Sequence, residues 1–182
     1  GEPNSIFLEI FFKTIKIKKF KNPIILICSE KLLIMQMKKL KFNFKVNLIN
    51  KNDTFFNFKK NHINLININY TTNKAFEKIT SKSNKYIEKC FTIALDLIKI
   101  GASNRLLNGP ISKKYFLKKQ YLGMTEYLTK KSNSKYSVML IYNKKLSVSP
   151  ITTHLPIKLV SKKINKSDLI NKIQLIYKFY KK

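Results

Sequence analysis

Hydrophobic and polar positions in the first seventy residues follow the patterns of three strands and a helix. The apolar run Pro23–Cys28 is typical of a buried strand. Ser29 follows it and can cap a helix with one apolar face. Apolar residues then alternate with polar ones in 41–49 and in 63–70, which is the period of half-buried strands. This part of the chain is therefore predicted to form strand, helix, strand and strand.

The middle of the chain is dominated by a helical pattern. Residues 83–100 carry two apolar faces at helical spacing, which predicts a helix buried on two sides. Gly101 suits its end, because glycine readily adopts the left-handed conformation found there. Residues 105–110 predict a short strand that runs into a Gly-Pro turn, and a helix is expected from Ser112. Strands alternating with helices indicate α/β layers.

The last third continues this alternation. A helix is predicted over 125–131, followed by two strands joined by a turn within 136–153. A further helix should follow His154, because Pro156 suits a first helical turn. Its inner face is expected to carry Ile157, Val160 and Ile164. Another helix is predicted from Ser167. The pattern as a whole predicts a three-layer α/β/α fold.

Lysine dominates the charge of this 182-residue chain, whose formal net charge is +28. Such an excess favours nucleic-acid binding. However, Arg105 is the only arginine among 37 basic residues, and arginine is preferred for bidentate contacts to bases and phosphates. Lys, Asn, Ile, Phe and Tyr, whose codons are rich in A and T, are all over-used, so compositional drift is a second explanation. In either case we expect nucleic acid to bind non-specifically.

Cysteine use and hydropathy indicate a cytoplasmic protein. Cys28 and Cys90 lie in apolar segments and are predicted to be reduced core thiols. No apolar run reaches about 18 residues, so no membrane-spanning helix is expected. The sequence starts at Gly1 without a methionine or a signal peptide, which suggests a fragment of something longer.

Four short motifs stand out once the common ones are excluded. Gly-rich phosphate loops, CxxC, HExxH and the nucleophile elbow are absent from the sequence. The motifs are GEPNSIFLEI at the start, then NGPISK, GMTEYL and TTHLPI, which begin at residues 1, 108, 123 and 152. In this order they resemble the 4-hydroxythreonine-4-phosphate dehydrogenase family of pyridoxal phosphate biosynthesis. The resemblance covers essentially the whole chain, 1–182, but only about the first half of a family member.

The resemblance implies a fold, a reaction and an assembly. The chain would be a single α/β unit within a two-domain, isocitrate-dehydrogenase-like subunit, and the C-terminal half would be missing. The reaction would be oxidation and decarboxylation of 4-phosphooxy-L-threonine, dependent on NAD and on a divalent metal (zinc, magnesium or cobalt). The resemblance further implies a homodimer with sites near the subunit interface.

The resemblance also implies roles for individual residues. His154 corresponds to a metal ligand, and Thr125 to a threonine that contacts the phosphorylated substrate. Lys113 lies in a stretch that lines the active-site cleft and is the candidate catalytic residue. Met124 stands where the family has a substrate-binding histidine. The residues that bind the cofactor are not identified in this chain.

Each candidate also has a plainer interpretation. His154 lies between a predicted strand and a predicted helix and could be a capping residue. Thr125 could be a helix N-cap, with Glu126 favouring the positive end of the helix. Met124 could fill space in the core, and Lys113 could be one more solvated lysine.

Departures from the family pattern support an alternative function. The Met124 thioether cannot donate a hydrogen bond, and Phe7 puts bulk where the family keeps backbone access. A catalytic metal usually has about three protein ligands, and this chain offers His154 alone. The alternative is therefore a truncated, catalytically inactive relic of the enzyme. A basic nucleic-acid-binding protein is a third possibility, supported by charge alone.

Overall fold

The computed structural model describes residues 1–51, 56–118 and 120–181 of the chain. The chain divides into two compact units, Gly1–Lys118 and Lys119–Lys182. That both belong to the single α/β unit expected from the sequence stays a prediction, and each unit is described by itself below.

A three-stranded parallel sheet forms the centre of the first unit. The strands are β1 (Ile25–Cys28), β2 (Lys45–Leu48) and β3 (His62–Asn67). They lie in the order β1-β3-β2, so that Leu65 of β3 pairs with Leu26 on one side and with Leu48 on the other. β1 and β2 fall within segments predicted from the hydrophobic pattern, and β3 begins one residue before its predicted segment.

Three helices pack with this sheet. They are α1 (Phe7–Ile17), α2 (Glu30–Lys39) and α3 (Asn84–Lys99). Side chains of α1 and α2 share one buried cluster with β1 and β3, and Phe12 and Leu33 within it are fully buried. The amphipathic α3 contacts β1 and buries residues such as Ile87 and Phe91. The predicted α/β class is therefore confirmed.

The ends of α2 and α3 agree with their sequence signals. The Ser29 hydroxyl accepts a hydrogen bond from the Leu32 N–H at 3.3 Å, which confirms the predicted cap. Gly101 follows α3 with φ +79°, the left-handed conformation that favours glycine. Both boundaries were predictable because they depend on local chemistry.

The second unit is mainly helical in its described part. It contains α4 (Met124–Lys131), α5 (Ile157–Lys163) and α6 (Lys166–Tyr180). The Asn165 side chain accepts a hydrogen bond from the Asp168 N–H at 2.9 Å and caps α6. The helix consequently begins one residue before Ser167. Of the described helices, none combines the length and the apolar character needed to cross a membrane.

Two predicted strand regions are wrong. Residues 105–110 have irregular backbone, and 136–153 contain only an isolated antiparallel bridge between Ile141 and Val148. Leu107 is 87% exposed, so the apolar side chains of its segment are not gathered into a core. Apolar sequence favours a strand only where a neighbouring strand completes the hydrogen bonds.

Two helix predictions also need correction. The helix expected from Ser112 is only a five-residue π-type turn, Lys113–Leu117. The α5 helix exists, but it buries no residue, and Ile157 is 91% exposed. The predicted inner face of α5 is therefore wrong.

The opening segment of the chain lies against the Gly-Pro loop in the first unit. The Glu2 N–H donates to the Pro110 carbonyl oxygen at 3.1 Å. The Phe7 side chain covers the face of Gly109, where a Cβ atom would lie only 2.4 Å from the phenyl ring. Gly109 must therefore lack a side chain for the two motifs to pack as they do.

Buried polar groups hold the opening segment in place. Glu2 is only 3% exposed, and its Oε2 accepts a hydrogen bond from the Ser83 hydroxyl at 2.8 Å. The fully buried Gln36 donates through Nε2 to the Pro3 carbonyl oxygen at 2.9 Å. Because unpaired buried polar groups are costly, these bonds select one path for residues 1–6.

Both cysteines are buried and free, as predicted. Burial raises the pKa of the Cys28 thiol well above its usual range and also raises the pKa of Cys90. The same burial raises the pKa of the neighbouring Tyr86 phenol. The thiolate forms are accordingly disfavoured in the folded chain.

Replacing Gly109 with alanine should destabilise the first unit by about 1–3 kcal/mol, because the new methyl group clashes with the Phe7 ring. In a Phe7→Ala background the same change should cost much less, since the space above residue 109 is then free. Urea unfolding of the wild type, the two single variants and the double variant measures this coupling. An equal cost of Gly109→Ala in both backgrounds would contradict the contact.

Cys28 and Cys90 should react slowly with a thiol reagent in the native chain at about pH 8, because burial and raised pKa values suppress both access and thiolate formation. Both should react rapidly in denaturant. A chromogenic disulfide reagent counts the thiols under each condition. Rapid reaction of either thiol in the native chain would be inconsistent with the buried positions.

Candidate functional site

The candidate site residues are divided between the two units. Lys113 belongs to the first unit, where it begins the π-type turn with an exposed side chain. Met124, Thr125 and His154 belong to the second unit. The role of Lys113 stays a prediction.

The GMTEYL motif forms the start of α4. Gly123 is buried and occupies the N-cap position, and Met124 begins the helix. Thr125 lies in the first turn with an exposed side chain, so the prediction that it caps the helix is wrong. Met124 is half-buried and is therefore only partly a core residue.

His154 is exposed and has an unusual backbone conformation. Its φ is +57°, in the left-handed region, which histidine adopts more readily than most residues but still at a cost. The N-cap position of α5 is Pro156, and no side chain caps that helix. His154 is therefore not the capping residue that its position in the sequence allowed, and its conformation has another cause.

Gly123 brings Glu126 and His154 to the same place. A Cβ atom on Gly123 would lie 2.9 Å from Glu126 Oε2 and 3.5 Å from His154 Nε2. The bare Cα of this glycine is thus bordered by a carboxylate and an imidazole. A residue with a side chain at this position would force the carboxylate to move.

The Glu126 carboxylate links α4 to the TTHLPI motif. Its Oε1 accepts a hydrogen bond from the Thr153 hydroxyl at 3.3 Å. Its Oε2 is buried and has no hydrogen-bond partner in the described structure. A buried carboxylate oxygen normally has a donor, so Oε2 is available for one.

A cavity of about 380 Å³, lined mostly by polar residues, adjoins this carboxylate. Its lining includes Thr125, Glu126 and Thr129 of α4 together with Thr153 and Lys172. Hydroxyl groups and an ammonium group suit a ligand with anionic oxygens. The structure thus brings Thr125 of the predicted site and Thr153, the neighbour of His154, to one cavity.

The described residues fit only part of a metal site. Within 1–51, 56–118 and 120–181, no group of three or more His, Cys, Asp and Glu side chains is placed to hold a metal. His154 has an accessible imidazole and a carboxylate nearby, which suits one metal ligand and its support. Further ligands would have to come from outside these residues, so no catalytic step is derived through a metal here.

Sequence reasoning underestimated Glu126. The sequence places it in the GMTEYL motif and predicts only an effect on the helix terminus. The signal in the sequence is its position three residues after Gly123, which brings its side chain back over the first turn. Its unpartnered oxygen, however, is a property of the folded chain alone.

Comparisons with known proteins agree on one family. The family described as pyridoxal phosphate biosynthetic protein PdxA matches residues 19–182. The curated 4-hydroxythreonine-4-phosphate dehydrogenase of Aquifex aeolicus is 31% identical over 183 residues, which cover 98% of this chain and 55% of that protein. The protein of the same name from Sulfurihydrogenibium is 30% identical over 190 residues, covering 100% and 56%.

Solved structures support the fold. This chain matches the structure of 4-hydroxythreonine-4-phosphate dehydrogenase from Klebsiella pneumoniae with a TM-score of 0.79 at 19% identity, covering 100% of this chain and 56% of that one. The Burkholderia phymatum structure of the same name matches with a TM-score of 0.79 at 18% identity, covering 96% and 54%. The chain spans about half the length of the relatives it matches. On the extent of the family match, this chain belongs to the pyridoxal phosphate biosynthetic protein PdxA family.

Proposed function

We propose that the protein carrying this chain oxidises and decarboxylates 4-phosphooxy-L-threonine with NAD and a divalent metal. The names of its curated relatives support a dehydrogenase of this kind. The observation that carries the proposal is the arrangement of Gly123, Glu126 and His154, which brings an imidazole near a carboxylate that lines a cavity. We further infer a homodimer in the cytoplasm, as family resemblance implies.

His154 would supply one ligand to the metal through a ring nitrogen. Its exposed side chain leaves the imidazole accessible, and the hydrogen bond from the neighbouring Thr153 hydroxyl to Glu126 ties this part of the chain to α4. When bound, the metal would polarise the substrate hydroxyl and NAD would accept a hydride. The chain itself would bind and orient the substrate.

Thr125 would bind the phosphorylated substrate. Its hydroxyl lies on the cavity wall in the first turn of α4, where backbone N–H groups and the helix dipole favour anions. Lys113 would act in the cleft as the catalytic residue, since an ammonium group stabilises negative charge that develops on a reacting oxygen.

The inactive-relic alternative has two observations in its favour. Met124 provides no hydrogen-bond donor where the family has a histidine. The Phe7 ring covers Gly109, so no ligand can approach the backbone on that face. The nucleic-acid alternative has only the +28 charge in its favour. Turnover measurements separate the enzyme from the relic.

In the longest gene product that contains this chain, His154→Ala should lower kcat/KM for NADH formation by about 100-fold or more, because a Lewis acid contributes several kcal/mol to the transition state. The matched control is His62→Ala, which removes the other histidine of these 182 residues and should leave activity unchanged. Turnover is followed by NADH absorbance with 4-phosphooxy-L-threonine and added metal. A wild-type protein without turnover would contradict the proposal and favour the relic.

Met124→His should raise kcat/KM for the phosphorylated substrate by about 10-fold or more, because a hydrogen bond to a charged group is worth about 1.5–3 kcal/mol. Met124→Leu keeps an apolar side chain and should behave like the wild type. The same NADH assay measures all three proteins. An equal response to histidine and to leucine would show that residue 124 does not reach the substrate.

A further inference from the structure

Glu126 has a buried oxygen that neither the fold nor the proposed reaction explains. Oε1 is bonded to the Thr153 hydroxyl, but Oε2 is buried without a hydrogen-bond partner. Leaving a charged acceptor unpaired in the interior costs more than leaving a neutral one. The folded chain should therefore bring a donor to Oε2.

His154 is the titratable donor that the structure places at the same point. Its Nε2 and the Glu126 Oε2 both lie within 3.5 Å of the position that a Gly123 Cβ would occupy. The imidazole is exposed, so rotation of its ring meets little resistance. Because Gly123 has no side chain, the space between the nitrogen and the oxygen stays open.

We propose that Glu126 is a positioning residue for His154. Its Oε2 accepts the Nε2–H of the imidazole, and the other ring nitrogen, Nδ1, is left unprotonated and directed outward. Histidines that bind metals usually donate their second N–H to such an acceptor, which orients the ring. The use of Nδ1 for a metal rests on the proposed function, whereas the contact between ring and carboxylate does not.

Thr153 fixes the orientation of the Glu126 carboxylate. Its hydroxyl holds Oε1 at 3.3 Å, and it directly precedes His154 in the chain. The carboxylate is thus tied to the backbone that carries the imidazole. The left-handed φ of His154 directs its side chain away from the path that an extended residue would follow.

If Glu126 had a purely structural role, its substitution would have a different effect. A carboxylate in the first turn of α4 stabilises that helix through its dipole. In that case removal of the charge would lower the stability of the helix without changing the behaviour of His154. The decisive measurement must therefore report on the imidazole itself.

Nuclear magnetic resonance of the chain labelled with ¹⁵N-histidine reports on the His154 imidazole, because only His62 and His154 contribute signals. At about pH 8, above the ordinary histidine pKa of about 6.5, the wild type should show a His154 Nε2–H proton protected from exchange with water. Glu126→Ala should abolish this signal, and Glu126→Gln, which keeps the side-chain shape, should weaken it. Signals of His62, whose Nδ1 lies 3.0 Å from the Lys60 carbonyl oxygen, should stay unchanged in each variant.

Persistence of the protected proton in Glu126→Ala, or its absence in the wild type, would overturn the proposal. Circular dichroism of each variant verifies that the fold is kept, and Glu126→Gln decides the question if the alanine variant unfolds. Zinc titration of the same samples should perturb Nδ1 of His154, with an apparent affinity about 10–100-fold weaker in Glu126→Ala. A wild type that binds no zinc but keeps the protected proton would count against the metal in the proposed function, not against the positioning role.

Discussion

The buried carboxylate of Glu2 is the interaction on which the first unit depends. A carboxylate that is only 3% exposed is tolerable only with hydrogen-bond donors, and Ser83 and the backbone N–H of Asn4 supply them. Gln36 holds the next residue in the same way. These bonds fix the opening segment near the Gly-Pro loop, so that the side chain of Phe7 can cover Gly109. Two motifs that are far apart in sequence are thereby packed against each other.

The carboxylate of Glu126 in the second unit also needs hydrogen-bond donors, but only one of its two oxygens has one. Both carboxylate oxygens of Glu2 accept hydrogen bonds, and that residue is explained by the fold alone. Only one oxygen of Glu126 does so. The contrast separates a carboxylate whose two oxygens are both bonded from one whose second oxygen is still available to a donor.

The sequence predicted those parts of the fold whose local pattern and tertiary environment agree. Strand β1, helix α3 and the capping Ser29 follow from periodicity and local hydrogen bonding, and all three were found. The strand prediction for residues 105–110 was wrong because apolar character alone does not supply the neighbouring strand that a β-strand needs. For the site, the resemblance identified Thr125 and His154, and the structure places both in the second unit. The unpartnered oxygen of Glu126 could not be predicted, because it depends on which donors the folded chain brings near.

The two departures from the family pattern lie in different units. Under the proposed function, Met124 removes a donor to the substrate, whereas Phe7 covers Gly109 within the first unit. Neither change touches the geometry shared by Gly123, Glu126 and His154. A metal held through His154 is therefore compatible with both departures, whereas hydrogen bonding to the substrate is weakened by the first. Under the proposed function, it follows that substrate binding, rather than support of the metal ligand, is the property in which this chain should differ most from its relatives.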